Sequence, residues 1–426
     1  MRKILSALVF VSVFFSVCKA QCDGNRYRNF IFSDFTKSAD VVYGENINKD
    51  GVLELLTLDV YRPQGDISTE RALIIISHGG FFLGGDKAGA DVVPFCEDFA
   101  KMGYTVASIN YRLGIEVENP LNEPYGLTVV RAVQDLRAAI RWFRQDAEDG
   151  ANQFGIDPSE IYSGGVSAGG FMAIHLAYMD EDEIPEWIDM TAEGLEGGLE
   201  GESGNPGYPS DVNAIFSISG AIGDSAWIDA GELPACLFHG DNDQTVPFDS
   251  DTFFLFGFVE VTELDGSNSI DQKMDQVDIE HCFEVNEGYG HVPHQGNAAV
   301  YDTTLSIISN FLSHYICDIE LDCSYRELEV GVGESQKRAT SEVKIWPNPA
   351  NDKLRVERSE IPQGGVENRG GVESFCIRDI SGRIVLHRKT NRNSSEIDVS
   401  NLSSGMYLFE VEFSNGKMET QKLVIE

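Results

Sequence analysis

Through the first three quarters of the chain, short apolar runs alternate with longer amphipathic ones. Residues 72–77, 104–110, 160–162, 214–217 and 235–238 have strand length and carry apolar side chains at successive positions, as strands covered on both faces require. Between them Val129, Val133, Leu136, Ile140 and Phe143 recur at spacings of four and three, the stripe of a helix lying on a sheet. Residues 297–316 repeat that pattern. Strands alternating with helices predict an α/β body with a mostly parallel sheet. From Lys344 the period falls to two. Tyr407, Phe409, Val411 and Phe413 alternate with Leu408, Glu410 and Glu412, and Asn415-Gly416 signals a hairpin before Lys422-Leu423-Val424-Ile425. A small antiparallel β-domain is therefore expected at 344–426. The intervening residues 326–343, which lack apolar periodicity over 331–341, read as a linker, and the body occupies 21–325.

The N-terminus differs from both. Met1-Arg2-Lys3 precedes an apolar run from Ile4 to about Val17, followed by Cys18-Lys19-Ala20. A basic start, a short apolar stretch and small residues at the cut positions predict a signal peptide over 1–20. No later segment reaches eighteen consecutive apolar residues, so a soluble mature chain is expected. Over 426 residues, 42% apolar and 24% charged positions are ordinary for a globular protein. The net charge of −37 is unevenly placed. Residues 344–426 hold twelve Lys and Arg against twelve Asp and Glu, whereas 21–343 hold seventeen against fifty-seven. Such a field repels phosphate backbones and anionic membranes, which argues against nucleic acid as a partner.

Residues 180–202 concentrate ten carboxylates with no Lys or Arg. They read as a mobile surface loop, either a lid over a cleft or a plain solvated insertion. Beyond the leader seven cysteines remain, an odd number. Cys317 with Cys323 and Cys22 with Cys96 are the expected disulfides, and the odd count requires at least one free thiol. Neither a CxxC pair nor a His-x-x-x-His spacing is present, and no metal or organic cofactor is expected.

Gly165-Val166-Ser167-Ala168-Gly169 fits a strand-to-helix turn that projects a serine hydroxyl away from a sheet. A Cβ at either glycine would crowd that turn. A serine nucleophile needs a base, and the base needs an acid to fix its tautomer. Of eight histidines, His175 falls mid-helix, and His78 and His239 end strands before glycine as loop-shaping residues. His281, His314 and His387 have no favourable context. His291, in Gly288-Tyr289-Gly290-His291 after a strand at 282–285, is the preferred base, with His294 its rival. The acid comes from the loop His239-Gly240-Asp241-Asn242-Asp243, where Asp243 lies farther past the strand end than Asp241 and is preferred. His78-Gly79-Gly80-Phe81 follows the strand at 72–77. There Gly80 and Phe81 would supply amides to an oxyanion from one side and Ala168 from the other.

With these motifs in the order Ser167, Asp243, His291, residues 40–316 resemble the carboxylesterase branches of the α/β-hydrolase superfamily. The resemblance is carried by Ile76-Ser77-His78-Gly79-Gly80, Ser108-Ile109-Asn110-Tyr111-Arg112, residues 164–170 and residues 239–247. Phe81 stands where that family has a third glycine. Residues 344–426 are similar to the C-terminal sorting domain of type IX secretion in Bacteroidetes, through Pro347-Asn348-Pro349-Ala350, Ile380-Ser381-Gly382-Arg383 and Ser404-Gly405-Met406-Tyr407. Together they imply a secreted or surface-held serine esterase, exported through the periplasm by the type IX machinery. Its substrate would be a small or polymer-linked ester. A prolyl-oligopeptidase-type peptidase shares the fold but usually carries a large extra domain ahead of the hydrolase. A binding protein on an inactive hydrolase fold would usually lack the nucleophile or base.

Overall fold

The computed structural model describes residues 22–116, 120–329, 343–346, 350–358, 372–379, 383–389, 394–413 and 418–425. The expected signal peptide, the centre of the linker, Pro347-Asn348-Pro349, Ile380-Ser381-Gly382 and the Asn415-Gly416 turn lie outside them. The chain forms two compact units, Met1–Ser335 and Gln336–Glu426.

The first unit is built on an eight-stranded sheet of order β1-β2-β4-β3-β5-β6-β8-β11. Its strands are β1 (Phe35–Ile47), β2 (Leu53–Pro63), β3 (Arg71–Ser77), β4 (Thr105–Ile109), β5 (Ile156–Val166), β6 (Ala214–Ile218), β8 (Ala235–Gly240) and β11 (His281–Asn286). β1 and β2 pair antiparallel and β2 meets β4 antiparallel, while every pairing from β4 to β11 is parallel. Every residue of β3, β4, β6 and β8 is buried, because helices cover both faces. One layer of core joins α2 (Asn122–Glu148) and α3 (Ala168–Tyr178) to the sheet through Val133, Leu136, Ile140, Phe143 and Phe171. The other joins α1 (Val93–Met102) and α5 (Ala298–Cys317) through Phe95, Phe99, Ile308 and Phe311. β7 (Ala221–Ile222), β9 (Ser250–Leu255) and β10 (Val259–Gly266) form a small separate sheet that runs into α4 (Ser267–Val277). No helix among the described residues is long and apolar enough to cross a membrane.

Two expectations are corrected. The acidic segment 180–202 is held down rather than mobile. Its glycine-rich turns present carbonyls that α2 and the β4 end take up. Arg112 Nη1 donates to Gly194 O at 2.6 Å, Gln134 Nε2 to Leu195 O and Gly198 O at 3.1 and 2.7 Å, and Arg141 Nη1 to Glu200 O at 2.7 Å. Leu195 and Leu199 are buried with Leu127 and Val130 of α2. The disulfides are also differently paired. Cys22 joins Cys317 and Cys282 joins Cys323, with Cα separations of 5.5 and 5.4 Å. Chain proximity in sequence does not predict these pairs, because α5 returns its end to the N-terminal segment while α1 turns Cys96 into the core. Cys96, Cys236 and Cys376 are buried free thiols.

In the second unit, β12 (Val343–Trp346), β13 (Lys353–Arg358) and β16 (Ser394–Asp398) form one antiparallel sheet. β14 (Val372–Asp379), β15 (Ile384–Lys389), β17 (Gly405–Phe413) and β18 (Met418–Ile425) form another. The period-two stripe of β17 puts Tyr407, Phe409 and Val411 into a core with Phe375, Ile377 and Leu423.

Candidate active site

β5 runs directly into α3, and Ser167 sits at the corner with φ 54° and ψ −116°, a conformation costly for a residue with a Cβ. Its N–H donates to Ile218 O at 2.8 Å, which ties the corner to the end of β6. The flanking glycines are sterically required. A Cβ on Gly169 would come within 1.9 Å of Ser77 O, and one on Gly165 within 2.3 Å of the Gly169 carbonyl carbon.

The structure brings Ser167, His291 and Asp243 together. His291 Nε2 lies 2.9 Å from Ser167 Oγ, and His291 Nδ1 lies 2.6 Å from Asp243 Oδ2. Because the carboxylate only accepts, Nδ1 carries a proton and Nε2 is free to take the hydroxyl's. Asp243 is fixed from three sides. Its Oδ1 accepts from Thr245 N and Val246 N at 2.7 and 3.1 Å, and Oδ2 also lies 3.3 Å from His239 Nε2. Burial pushes this carboxyl's pKa upward, but hydrogen bonds from His239 and His291 outweigh burial and hold it well below the usual carboxylate range.

Asp241 has a different position from Asp243. Its Oδ1 accepts from Gly288 N at 2.5 Å, and Asn242 N donates to Tyr289 O at 3.0 Å, so this end of β8 holds the loop bearing His291. His294, the rival base, is buried against Phe95 at 5.4 Å, away from the serine hydroxyl that His291 meets. Burial lowers its pKa to about 4. His78 turns back on Gly79 O at 2.7 Å and stacks on Tyr111, and His175 is buried in α3. His281 and His314 pair with Asp271 and Glu280, and His387 is exposed on β15.

The turn after β3 packs on the serine corner, since a Cβ on Gly79 would stand 3.2 Å from Ser167 Cβ. Asp91 Oδ2 accepts Gly79 N at 2.7 Å and fixes the turn. Gly80 and Phe81 both have positive φ, 120° and 58°. Among the described residues, no acceptor takes the amides of Gly80, Phe81 or Ala168, and Ala168, as the first residue of α3, has no intrahelical partner to offer. The Phe81 ring lies 5.5 Å from that of Phe256, whereas Phe82 and Phe171 are core residues packed edge to face at 6.3 Å. Sequence reasoning missed Asp91 and the contact of His239 with Asp243. The signal for the second was present, because His239 and Asp243 are four apart across one tight loop.

A strand order in which two antiparallel strands lead into a parallel series, with a serine at the strand-to-helix corner, is that of the α/β-hydrolase fold. Consistent with this, residues 58–223 match the BD-FAE family model and residues 344–426 match that of the secretion system C-terminal sorting domain. Esterase-5C of Drosophila persimilis is 27% identical over 203 residues, 46% of this chain and 33% of that protein, so the chain spans about a third of that relative's length. The non-reducing polyketide synthase atr1 of Stereocaulon alpinum is 30% identical over 128 residues, 29% of this chain and 5% of that protein. Among solved structures, the propionate-bound esterase Est2 of Thermogutta terrifontis aligns with a TM-score of 0.46 at 24% identity, covering 65% of this chain and 93% of that one.

Proposed function

We propose that the protein is an exported serine esterase that cleaves carboxylic esters through an acyl-enzyme. The observation that carries this reading is the continuous relay Ser167 Oγ, His291, Asp243 with links of 2.9 and 2.6 Å. Ser167 Oγ attacks the ester carbonyl while His291 Nε2 takes its proton, and the negative charge on the carbonyl oxygen is met by the amides of Gly80, Phe81 and Ala168. The tetrahedral adduct collapses, the C–O bond to the alcohol breaks, and His291 returns the proton to the departing alkoxide. Water, deprotonated by the same imidazole, then releases the acid and restores Ser167. Asp243 holds the ring in the required tautomer and balances its transient positive charge.

The test is Ser167→Ala assayed on short-chain, long-chain and aryl esters beside peptide amides. Ester turnover should fall by several orders of magnitude with the circular dichroism spectrum unchanged. Near-normal turnover refutes the assignment, and amide cleavage exceeding ester cleavage moves it to a peptidase.

The tail serves export and not chemistry. Residues 21–330 expressed alone should be folded and active, and deleting 344–426 in the native host should leave the enzyme in the periplasm. Unimpaired secretion, or loss of activity in a folded truncated body, refutes this.

A further inference from the structure

Two phenylalanines of the turn after β3 hold a backbone conformation that suits neither. Phe81 and Phe82 have φ of 58° and 59°, in the left-handed region that a bulky side chain rarely adopts. Such strain persists only where the surroundings over-determine it. For Phe82 those surroundings are the core. It is fully buried, packs edge to face on Tyr111, Tyr125 and Phe171 at 6.0, 5.8 and 6.3 Å, and its carbonyl accepts Gly114 N at 2.7 Å. Phe81 is only partly buried, at the margin of the same core, and its ring meets that of Phe256 at 5.5 Å.

Phe256 is itself an unexpected residue for its place. With Gly257 it forms the tip of the β9–β10 hairpin, where the two have φ of 56° and 77° and Phe258 N donates to Leu255 O at 3.4 Å. Two successive positive φ values are those of a type I′ turn, whose first central position favours Asn, Asp or Gly. A phenylalanine there gains little from burial, since it is 57% exposed. The hairpin is fixed lower down. Phe253 is buried and its ring meets Tyr125 at 5.3 Å, and Tyr125 is the residue that meets Phe82. The hairpin therefore reaches both strained residues of the turn, Phe82 through Tyr125 and Phe81 directly.

An oxyanion donor is effective only when its N–H is held in place before the charge develops. Leu83 N and Gly84 N both donate to Gly80 O, at 2.9 and 3.1 Å, which closes the turn around Phe81. Gly80, with φ 120°, is a residue type that adds no rigidity of its own. The Phe81 side chain is the remaining handle on that peptide, and the hairpin tip is what holds it.

We propose that the β9–β10 hairpin is a prop for this turn, with Phe256 a positioning residue that keeps Phe81 in its left-handed conformation and so aims the Phe81 N–H at the reacting carbonyl oxygen. The catalytic effect rests on the esterase reading, while the hold on Phe81 does not. Phe256→Asn removes the ring yet suits the turn, so the melting temperature should not fall. Its kcat for methyl acetate and for methyl butyrate should drop about tenfold in each case, with KM within twofold. Phe256→Tyr, which keeps the ring, should recover most of that loss. In a Phe81→Gly background, where there is no ring to hold, adding Phe256→Asn should cost less than twofold further. A loss that sits in KM and grows from acetate to butyrate, or that persists undiminished in the Phe81→Gly background, makes Phe256 a substrate contact and overturns the proposal, as does an unchanged kcat. In the full-length protein labelled with 15N-phenylalanine, the order parameter of the Phe81 amide should fall in Phe256→Asn. If the parent hydrolyses none of the esters tested, the esterase reading fails and that order parameter decides alone: a fall keeps the prop, and an unchanged value overturns it.

Discussion

Acidification should unfold this protein partly through one buried ring, that of His294. The side chain is 5% exposed against Phe95. Burial lowers its pKa from an ordinary 6.5 to about 4, with Asp91 opposing the shift and His291 adding to it. A histidine with a lowered folded-state pKa takes its proton first in the unfolded chain. Stability is therefore intact above about pH 6.5 and is lost as pH falls toward 4. The full difference corresponds to about 3 kcal/mol, of which about 2 kcal/mol is lost between pH 7 and pH 5. That is a sizeable share of the roughly 5–15 kcal/mol that holds an ordinary domain folded. His294→Leu keeps the volume similar and removes the titration. Fluorescence-monitored urea unfolding of both proteins at pH 7 and pH 5 isolates the ring, because the many surface carboxylates titrate alike in each. The variant should lose about 2 kcal/mol less than the parent over that interval, with ester turnover at pH 7 within a few fold. An equal loss in the two proteins would refute the reasoning.

Two further outcomes test the site. Asp243→Asn should lower turnover on the order of 10³ to 10⁴, since the charge that orients His291 Nδ1–H is lost. Asp241→Asn should cost less than about tenfold, since an amide oxygen can still accept Gly288 N and the catalytic contacts are untouched; a larger loss at Asp241 would reverse the assignment. Gly169→Ala places a Cβ 1.9 Å from Ser77 O and should destabilise the body by about 3 kcal/mol or more. A melting temperature unchanged from the parent would show that β3 and α3 are less closely apposed than described.

The parallel core was legible because strands buried on both faces write themselves as uninterrupted apolar runs, as in β3 and β8. The two antiparallel strands at one end of the sheet were not, because β2 mixes buried Leu56 and Leu58 with exposed Leu53 and Leu55. β5 was read as three residues since Gly164 and Gly165 look like turn residues, yet they continue the ladder opposite Phe216 and Ser217. The aromatic hairpin β9 and β10 left no clear alternation, with Phe254, Phe256 and Phe258 all exposed. The motif glycines, Asp243 and His291 could be proposed from sequence because a relay needs them at strand ends in a fixed order. The anchoring of 180–202 was hidden because most of its acceptors are backbone carbonyls, which every sequence has. Arg137 and Arg141, four apart on α2, both reach Glu200 and were the available hint of a basic surface awaiting that segment.

The two disulfides overlap in sequence, spanning 22 to 317 and 282 to 323. A protease outside the cell that cuts once anywhere between Cys22 and Cys323 therefore frees no fragment. Severed before Cys317, the halves remain tied through Cys22; severed after it, they remain tied through Cys282. Beyond Cys323 no such tether exists, and Cys376 in the tail is a free thiol. A single cut after Cys323 leaves no covalent link across it, so the placement of four sulfurs holds a nicked body together covalently but not its junction with the tail.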